Sequence, residues 1–125
     1  MSYHAVEPDG SVRFPMGDAT GRLTYDEGGR MSGQVMRPDR PAPGGGAGER
    51  DLRAVCAGYI AYFGSYELAE DGGMVVHHVE GALDPRWVGG DQVRRVRFDG
   101  SDLILEADVP RAGEQERHVL RWRRL

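Results

Sequence analysis

The stretch YELAEDGGMVVHHV, from Tyr66 to Val79, decides how the chain folds. Apolar and polar residues alternate on both sides of Asp71-Gly72, a pair that suits the two-residue type I′ turn of a β-hairpin. Such a turn pairs Glu70 with Gly73, Leu68 with Val75, Tyr66 with His77, and Gly64 with Val79.

This register assigns each side chain of the hairpin to one face of a sheet. One face is apolar, which predicts that it is the interior, and it carries Leu68, Val75 and Val79. Tyr66 and His77 lie on the same face, opposite each other, whereas His78 and Glu80 point outward. The two adjacent histidines therefore cannot bind one metal ion together.

Similar runs recur between Gly- and Asp-rich turns along the whole chain. The candidate strands are Tyr3–Val6, Val12–Phe14, Gly21–Asp26, Arg30–Arg37, Gly64–Ala69, Met74–Leu83, Gln92–Asp99, Asp102–Ala107 and Glu116–Arg124. Many short strands at regular spacing predict an all-β sandwich or barrel.

One segment breaks this pattern. The part from 37 to 48 is rich in Pro and Gly and predicts a loop. After it, apolar residues recur at helical spacing: Leu52, Val55, Cys56, Tyr59, Ile60 and Phe63. We expect one domain, residues 1–125, with a single helix between the fourth and fifth strands and Cys56 buried on the apolar face of that helix.

Composition limits the class of function. The net charge of −4 argues against nucleic acid as the main partner. No apolar stretch approaches the roughly 20 residues of a membrane helix, and no signal peptide is visible. A single cysteine fits a reducing compartment, so we expect a cytoplasmic protein.

Two further hairpins place polar side chains inside. The turn at Asp99-Gly100, or one residue later, puts Gln92 and Arg94 on the face of the apolar residues Val96, Phe98, Leu103 and Leu105. A three-residue loop with Gly29 in the left-handed region puts Tyr25 across from Met31. An inward arginine needs an acceptor, so Arg94 either forms a structural pair or contacts a ligand.

The alternatives stay open at the other candidate residues. His77 is either a core histidine bonded to Tyr66 or a carbonyl, or a group that contacts a ligand or transfers a proton. An aromatic group caps one end of the fold or forms a pocket wall, and it comprises Tyr59, Tyr62, Phe63 and Tyr66. Trp87, in the tight connection LDPRWVGG, either plugs that end or stacks on a ligand. We expect no metal site, because the four histidines lie on different strands or faces.

Several motifs together resemble a known family. They are GRLTY (Gly21–Tyr25), YFGSY (Tyr62–Tyr66), HHVEGALDPRWVGG (His77–Gly90) and QVR (Gln92–Arg94). From about Asp9 to the C-terminus the chain is similar to the small bacterial and fungal lipocalin-like domain family. The resemblance implies an antiparallel, calycin-type β-barrel of about eight or nine strands, with a cavity open at one end. It makes Tyr25, Tyr66, His77, Gln92 and Arg94 cavity-side residues and places Trp87 near a barrel end.

The resemblance implies two possible functions. One is binding of a partly apolar metabolite, with aromatic residues and Trp87 in apolar contact and the polar end held by Arg94, Gln92, His77 and Tyr66. The other is a cofactor-free cyclase or isomerase of natural-product biosynthesis acting on a polyketide-like substrate. In that enzyme His77 is the acid or base, Tyr66 tunes it and Arg94 stabilises an oxyanion. A filled barrel and a haem-binding barrel, with His77 or His118 on the iron, remain as lesser alternatives.

The chain also departs from the family pattern. Family members usually begin with a Gly-x-Trp strand, which this chain lacks. The missing strand leaves a sheet edge that a homodimer would cover, so a homodimer is a further expectation.

Overall fold

The computed structural model describes residues 1–42, 44–46 and 48–125. These residues form nine strands, one α-helix and one 3-10 helix. Their bounds are β1 Ser2–Val6, β2 Val12–Arg13, β3 Thr20–Tyr25, β4 Arg30–Met36, α1 Glu49–Ala57, β5 Tyr59–Leu68, β6 Met74–Ala82, the 3-10 helix Pro85–Trp87, β7 Asp91–Asp99, β8 Asp102–Arg111 and β9 Glu114–Trp122. The predicted all-β fold, with one helix between the fourth and fifth strands, is confirmed.

All nine strands belong to one antiparallel sheet, in the order β2-β1-β9-β8-β7-β6-β5-β4-β3. In the described part of the chain, the end strands β2 and β3 are not hydrogen-bonded to each other. We expected a barrel, in which the two end strands would be hydrogen-bonded to each other. This closure of the sheet is not observed in the described residues.

The sheet nevertheless curls until its two ends approach each other. Buried side chains from distant strands form one cluster that includes Tyr3 of β1, Val35 of β4, Val75 of β6 and Trp122 of β9. A groove of about 570 Å³ separates β3 from the first residue and the C-terminal residues 123–125. The core thus lies on the concave face, and this groove marks the seam of the curled sheet.

The predicted registers of the hairpins are confirmed. Tyr66 pairs with His77 and Leu68 with Val75, Tyr25 pairs with Met31, and Gly29 has a positive φ of 82°. The β7–β8 turn takes the later of the two positions considered, since Asp99 pairs with Asp102.

The turn of the β5–β6 hairpin and the position of Leu68 differ from the predictions. Only Gly72 of the pair Asp71-Gly72 has a positive φ, whereas a type I′ turn needs both residues there. Leu68 is on the predicted face but is 60% exposed, because it lies beyond the core at the end of β5.

The helix is shorter than its apolar pattern predicts. It ends at Ala57, and the run Tyr59–Phe63 belongs instead to β5, which pairs along its length with β4. Aromatic and β-branched residues favour strands, and β4 supplies a backbone partner for this run. No described residue of α1 is buried, and Cys56 is exposed, so the expectation of a buried Cys56 is wrong.

A bulge next to Gly64 fixes how β5 and β6 meet. The register shifts between Phe63 and Gly64, and a Cβ at position 64 would lie 1.8 Å from the carbonyl oxygen of His78. Only glycine permits this approach.

Within the described residues, no helix has the length and apolar character needed to cross a bilayer.

Candidate functional site

The concave face holds a cavity of about 380 Å³, called here the polar cavity. Every strand from β3 to β9, together with β1 and the 3-10 helix, contributes side chains to its wall. His77, Gln92 and Arg94 lie on one part of the wall, and Tyr3 and His118 lie on another.

His77 sits at the centre of β6 and is only 1% exposed. Its Nε2 shares a hydrogen bond of 2.6 Å with the Tyr25 hydroxyl, and its Nδ1 shares another of 2.6 Å with the Tyr62 hydroxyl. Tyr62 comes from β5, next to β6, while Tyr25 reaches across the concave face from the end strand β3. Three side chains from three strands therefore form one buried chain of hydrogen bonds.

Burial controls the ionisation of this chain. Burial and the positive charge of Arg94 lower the pKa of His77 from 6.5 to about 4. Burial likewise raises the pKa of the Tyr25 and Tyr62 hydroxyls above 10, against a smaller lowering effect of Arg94. All three groups are neutral at physiological pH.

A neutral imidazole has one N–H donor and one acceptor nitrogen. One tyrosine hydroxyl must therefore donate to His77, and the other must accept from it. The accepting tyrosine keeps its own proton for another partner. Exchange of the imidazole tautomer, together with rotation of both hydroxyls, reverses these roles without creating a charge.

Arg94 supplies the positive charge of the polar cavity. Its guanidinium donates to the Gln92 side-chain oxygen and to the Val93 carbonyl oxygen, each at 2.9 Å. In the described part of the chain, no carboxylate forms a salt bridge with it. Arg95 and Arg97, on the opposite face of β7, are both paired with carboxylates of β8. The inward arginine thus differs from its neighbours in having only neutral partners.

A second, almost wholly apolar space of about 260 Å³ adjoins the polar cavity; we call it the apolar chamber. Leu105 belongs to the walls of both spaces. The chamber is lined by Tyr25, Tyr66, Leu68, Gly72, Val75, Val96, Phe98, Leu103 and Leu105. The concave face therefore offers an apolar space beside a polar one.

A second tyrosine–histidine pair faces the polar cavity. The Tyr3 hydroxyl is 2.6 Å from Nδ1 of His118, whose Nε2 is 3.1 Å from the Glu116 carboxylate. Arg13 and Arg111 also donate to Glu116, at 2.5 and 3.0 Å. Burial pushes the pKa of Glu116 up, but these three donors outweigh it and hold the pKa below its usual value.

The structure brings together six of the ten residues that we proposed for the site from the sequence. They are Tyr25, Tyr62, His77, Trp87, Gln92 and Arg94; Trp87 packs edge-on against Tyr62 at 6.0 Å between ring centroids. Met31 is buried on the same face, opposite Tyr25. The functional roles of these residues remain predictions.

Tyr66 lies where predicted but makes a different contact. It faces His77 across the β5–β6 pair, yet its hydroxyl donates to the backbone carbonyl of Asp26 at 2.9 Å. The predicted tuning of His77 by Tyr66 therefore has no hydrogen bond to act through. The hydroxyls of Tyr25 and Tyr62 are hydrogen-bonded to His77 instead.

The structure places the side chains of Tyr59 and Phe63 away from the polar cavity. The Phe63 ring covers Gly81 on the convex face. The Tyr59 ring lies under the Arg40 guanidinium, 5.0 Å from it, and lines outer grooves. In a strand, positions 59 and 63 face away from positions 60 and 62, whereas a helix would have placed 59, 60 and 63 together.

The pair formed by Tyr3 and His118, with its carboxylate Glu116, was not among the residues predicted for the site. A signal was present, because Glu116 and His118 are two residues apart in a strand and so share a face. Their meeting with Tyr3 depends on the pairing of β1 with β9, which are far apart in the sequence.

The histidines considered as iron ligands already have partners within the protein. Among the described residues, no three His, Cys, Asp or Glu side chains converge as metal ligands would. Both ring nitrogens of His77 and of His118 are engaged in hydrogen bonds within the protein. Iron ligation by either histidine would have to break one of these bonds.

Comparison with known proteins identifies the family. Neither the curated proteins nor the solved structures gave a significant match. The sequence profile of the family described as "Lipocalin-like domain" matches residues 1–125, the whole chain. With its antiparallel nine-stranded sheet curled around a cavity, the chain belongs to the lipocalin-like domain family.

Proposed function

We propose that the protein binds a partly apolar small molecule through an anionic or strongly accepting oxygen held by Arg94. Membership of the lipocalin-like family implies small-molecule binding in general. The observation that supports the finer proposal is the Arg94 guanidinium, which faces the polar cavity and has only neutral partners in the described chain.

The cost of placing a charge in a cavity supports this assignment. A guanidinium removed from bulk water is stabilised by an opposite charge or by several acceptors. Arg94 uses two acceptors, Gln92 and Val93, and retains further N–H groups. A carboxylate or enolate oxygen would complete its shell, with Gln92 fixing the orientation of the guanidinium.

The apolar chamber favours an amphipathic ligand. Its wall is almost entirely hydrocarbon and aromatic, and it adjoins the polar cavity at Leu105. Transfer of an apolar group into such a space gains about 25 cal/mol for each Å² removed from water. A ligand with its apolar part in the chamber and its oxygen at Arg94 uses both spaces.

The test uses the tryptophan fluorescence of the protein. Its two tryptophans, Trp87 and Trp122, both line the polar cavity, so a bromine-bearing ligand in the cavity should quench them. We expect a medium-chain bromocarboxylic acid to bind about tenfold or more tighter than the matching bromoalcohol, since hydrogen bonds to charged groups contribute about 1.5–3 kcal/mol.

Matched variants on one strand assign the effect to Arg94. Arg94→Gln should abolish the preference for the acid. Arg97→Gln, on the convex face of the same strand, should retain it, because Arg97 is 58% exposed and pairs with Glu106. Equal loss of the preference in both variants would reject the proposal.

A second candidate function is isomerisation of a carbonyl compound without a cofactor. The observation that favours it is the Tyr25–His77–Tyr62 chain, with both hydrogen bonds at 2.6 Å. This chain can accept a proton from one end of a bound enolisable group and return a proton at the other, with no net redox change. Arg94 would stabilise the enolate oxygen. The low pKa of His77 makes it a weak base, which is why binding is the primary proposal.

Deuterium exchange distinguishes this activity from simple binding. An aryl methyl ketone in D₂O should exchange its methyl protons faster with the protein than in buffer, as followed by NMR. Tyr62→Phe should remove the acceleration, whereas Tyr66→Phe should keep it, because the Tyr66 hydroxyl contacts Asp26 instead. Exchange at the rate of buffer would exclude this candidate function for that class of ketone.

A further inference from the structure

The Tyr3–His118 pair faces the same polar cavity as Arg94, and its hydrogen bonds have a fixed direction. The Glu116 carboxylate accepts from two guanidinium groups and from Nε2 of His118. An ionised carboxylate can only accept, so the His118 hydrogen must lie on Nε2. In the neutral imidazole, Nδ1 is then the acceptor.

This direction determines what Tyr3 offers to the cavity. While that imidazole is neutral, the Tyr3 hydroxyl must donate its single proton to Nδ1, at 2.6 Å. The proton of the Tyr3 hydroxyl is then engaged with His118, so toward the cavity its oxygen offers only lone pairs and is a hydrogen-bond acceptor. Among the described residues, in contrast, no carboxylate is hydrogen-bonded to the Tyr25–His77–Tyr62 chain to fix its direction.

The register places the two polar groups on strands that are two apart. Arg95 of β7 pairs with Glu106 of β8, so the next inward residues, Arg94 and Ala107, lie side by side. Ala107 pairs in turn with His118 of β9. Adjacent strands are about 4.8 Å apart, which separates the backbones at Arg94 and His118 by about 10 Å. The small side chain of Ala107 leaves the space between them open.

Trp122 also belongs to the wall of the polar cavity. Its indole Nε1 is buried and has no hydrogen-bond partner in the described structure. Trp122 follows Leu120 on the inner face of β9, and Leu120 pairs with Tyr3. A ligand hydroxyl can donate to the acceptor oxygen of Tyr3.

We infer that the polar cavity takes a ligand with two unlike polar ends: an anionic oxygen at Arg94 and a hydroxyl at Tyr3. A compact hydroxy acid with a rigid apolar body belongs to this chemical class. The inference rests on the proposed function, since it adds a second anchor to the same ligand.

Calorimetric titration of the full chain with three probes tests it. The probes are a naphthoate, the hydroxynaphthoate with its hydroxyl at the far end of the ring system, and the corresponding methoxynaphthoate. We expect the hydroxynaphthoate to bind about fivefold tighter than the naphthoate, as one neutral hydrogen bond allows. The methoxy compound, which cannot donate, should show no such gain.

Tyr3→Phe should abolish the fivefold gain of the hydroxynaphthoate over the naphthoate. Tyr66→Phe is the matched control and should keep the gain. Because the ratio between two probes is compared within one variant, a general loss of stability does not change it. If Tyr3→Phe fails to fold, the hydroxy and methoxy probes can still be compared on the unmodified protein. Equal affinity of these two probes would reject a second anchor that accepts a hydrogen bond from the ligand.

The outcomes separate the two proposals. If the naphthoate binds in an Arg94-dependent way but the hydroxyl adds nothing, or adds as much in Tyr3→Phe, the second anchor is wrong and the proposed function stands. If no naphthoate binds in an Arg94-dependent way, both are wrong.

Discussion

His77 and His78 are neighbours in β6, yet the pKa values of their imidazoles shift in opposite directions from 6.5. Burial and the charge of Arg94 lower the pKa of His77 to about 4. A hydrogen bond with Asp91, at 2.7 Å, raises the pKa of His78, which lies on the convex face with Glu67 also nearby. One step along a strand therefore exchanges a buried neutral group for an exposed one that favours the cation.

This contrast predicts opposite pH dependences of stability. The unfolded chain protonates at residue 77 near pH 6.5, but the folded protein resists protonation until about pH 4. The free energy of unfolding should therefore fall by up to about 3 kcal/mol as the pH drops through this window. In His77→Gln that contribution is absent, so its free energy of unfolding should fall less over the same range. Urea unfolding at a series of pH values measures the difference.

His78→Gln is the matched control, with the opposite sign. The raised pKa of His78 stabilises the folded protein below pH 6.5, and this stabilisation is lost as the pH rises through the folded-state value. The difference between the unmodified protein and His78→Gln should therefore shrink as the pH rises. Parallel pH profiles for the two variants would contradict the assignment of the two faces.

The tyrosine hydroxyls on His77 should contribute to stability. Tyr25→Phe or Tyr62→Phe leaves one nitrogen of a buried imidazole without a partner. We expect each to lower the free energy of unfolding by about 1–3 kcal/mol. Tyr66→Phe removes a bond to an exposed backbone carbonyl and should cost less than about 1 kcal/mol. If Tyr66→Phe lowered the free energy of unfolding as much as the other two variants, the hydrogen bonds to His77 would not stabilise the fold more than the exposed one does.

At the level of single residues, local pattern predicted which face a side chain occupies but not which partner it meets. Alternation and turn residues placed Tyr66, His77, Gln92 and Arg94 on the concave face. The contact of His77 with Tyr25 joins strands three places apart in the sheet. Such a contact depends on how far the sheet curls, and local periodicity carries no information on curvature.

At the level of elements, the sequence pattern gave a wrong prediction for the first half of β5, which it assigned to the helix. The apolar residues from Leu52 to Phe63 fit a helical period, but two elements share them, and Gly58 lies between the helix and the strand. Tyr59, Ile60, Tyr62 and Phe63 fit either a helix or a strand over so short a run. Pairing with β4 decides between them, and that pairing is a tertiary contact.

The junction of β5 and β6 yields a prediction about Gly64. In Gly64→Ala the new Cβ would lie 1.8 Å from the carbonyl oxygen of His78, and this backbone atom cannot move without opening the β5–β6 pair. We expect a loss of about 3 kcal/mol or more in the free energy of unfolding. Gly33→Ala is the control within a strand, because its nearest neighbour is the flexible end of Leu23 at 3.4 Å. Its cost should stay near or below about 1 kcal/mol. Urea unfolding compares the two variants.

At the level of the whole molecule, the sequence and the family resemblance predicted a curled antiparallel sheet but not the state of its seam. Closure depends on contacts between β3 and the strands at the other end of the sheet. These contacts join residues far apart in the sequence, so local patterns do not report on them. In the described structure, β3 pairs with β4 alone.

The bond between Tyr25 and His77 therefore has a role in holding the sheet curled. Tyr25 lies on the end strand β3 and His77 on the central strand β6, so their hydrogen bond crosses the concave face. Tyr62, the other partner of His77, lies on β5, which β6 already holds by backbone pairing. Loss of the two hydroxyls should have similar effects on global stability but different effects on β3.

Hydrogen exchange measures this difference strand by strand. Amides of β8 and β9 should exchange through global unfolding and accelerate by the same factor in Tyr25→Phe and Tyr62→Phe. In Tyr25→Phe the β3 amides bonded to β4 should accelerate by about tenfold, because a local opening of β3 no longer breaks the bond to His77, whereas in Tyr62→Phe exchange through this local opening should not change. Equal acceleration of β3 in both variants would mean that β4 alone fastens the end strand. The curl would then depend on the packing of Val35, Val75 and Trp122 rather than on the buried chain of hydrogen bonds.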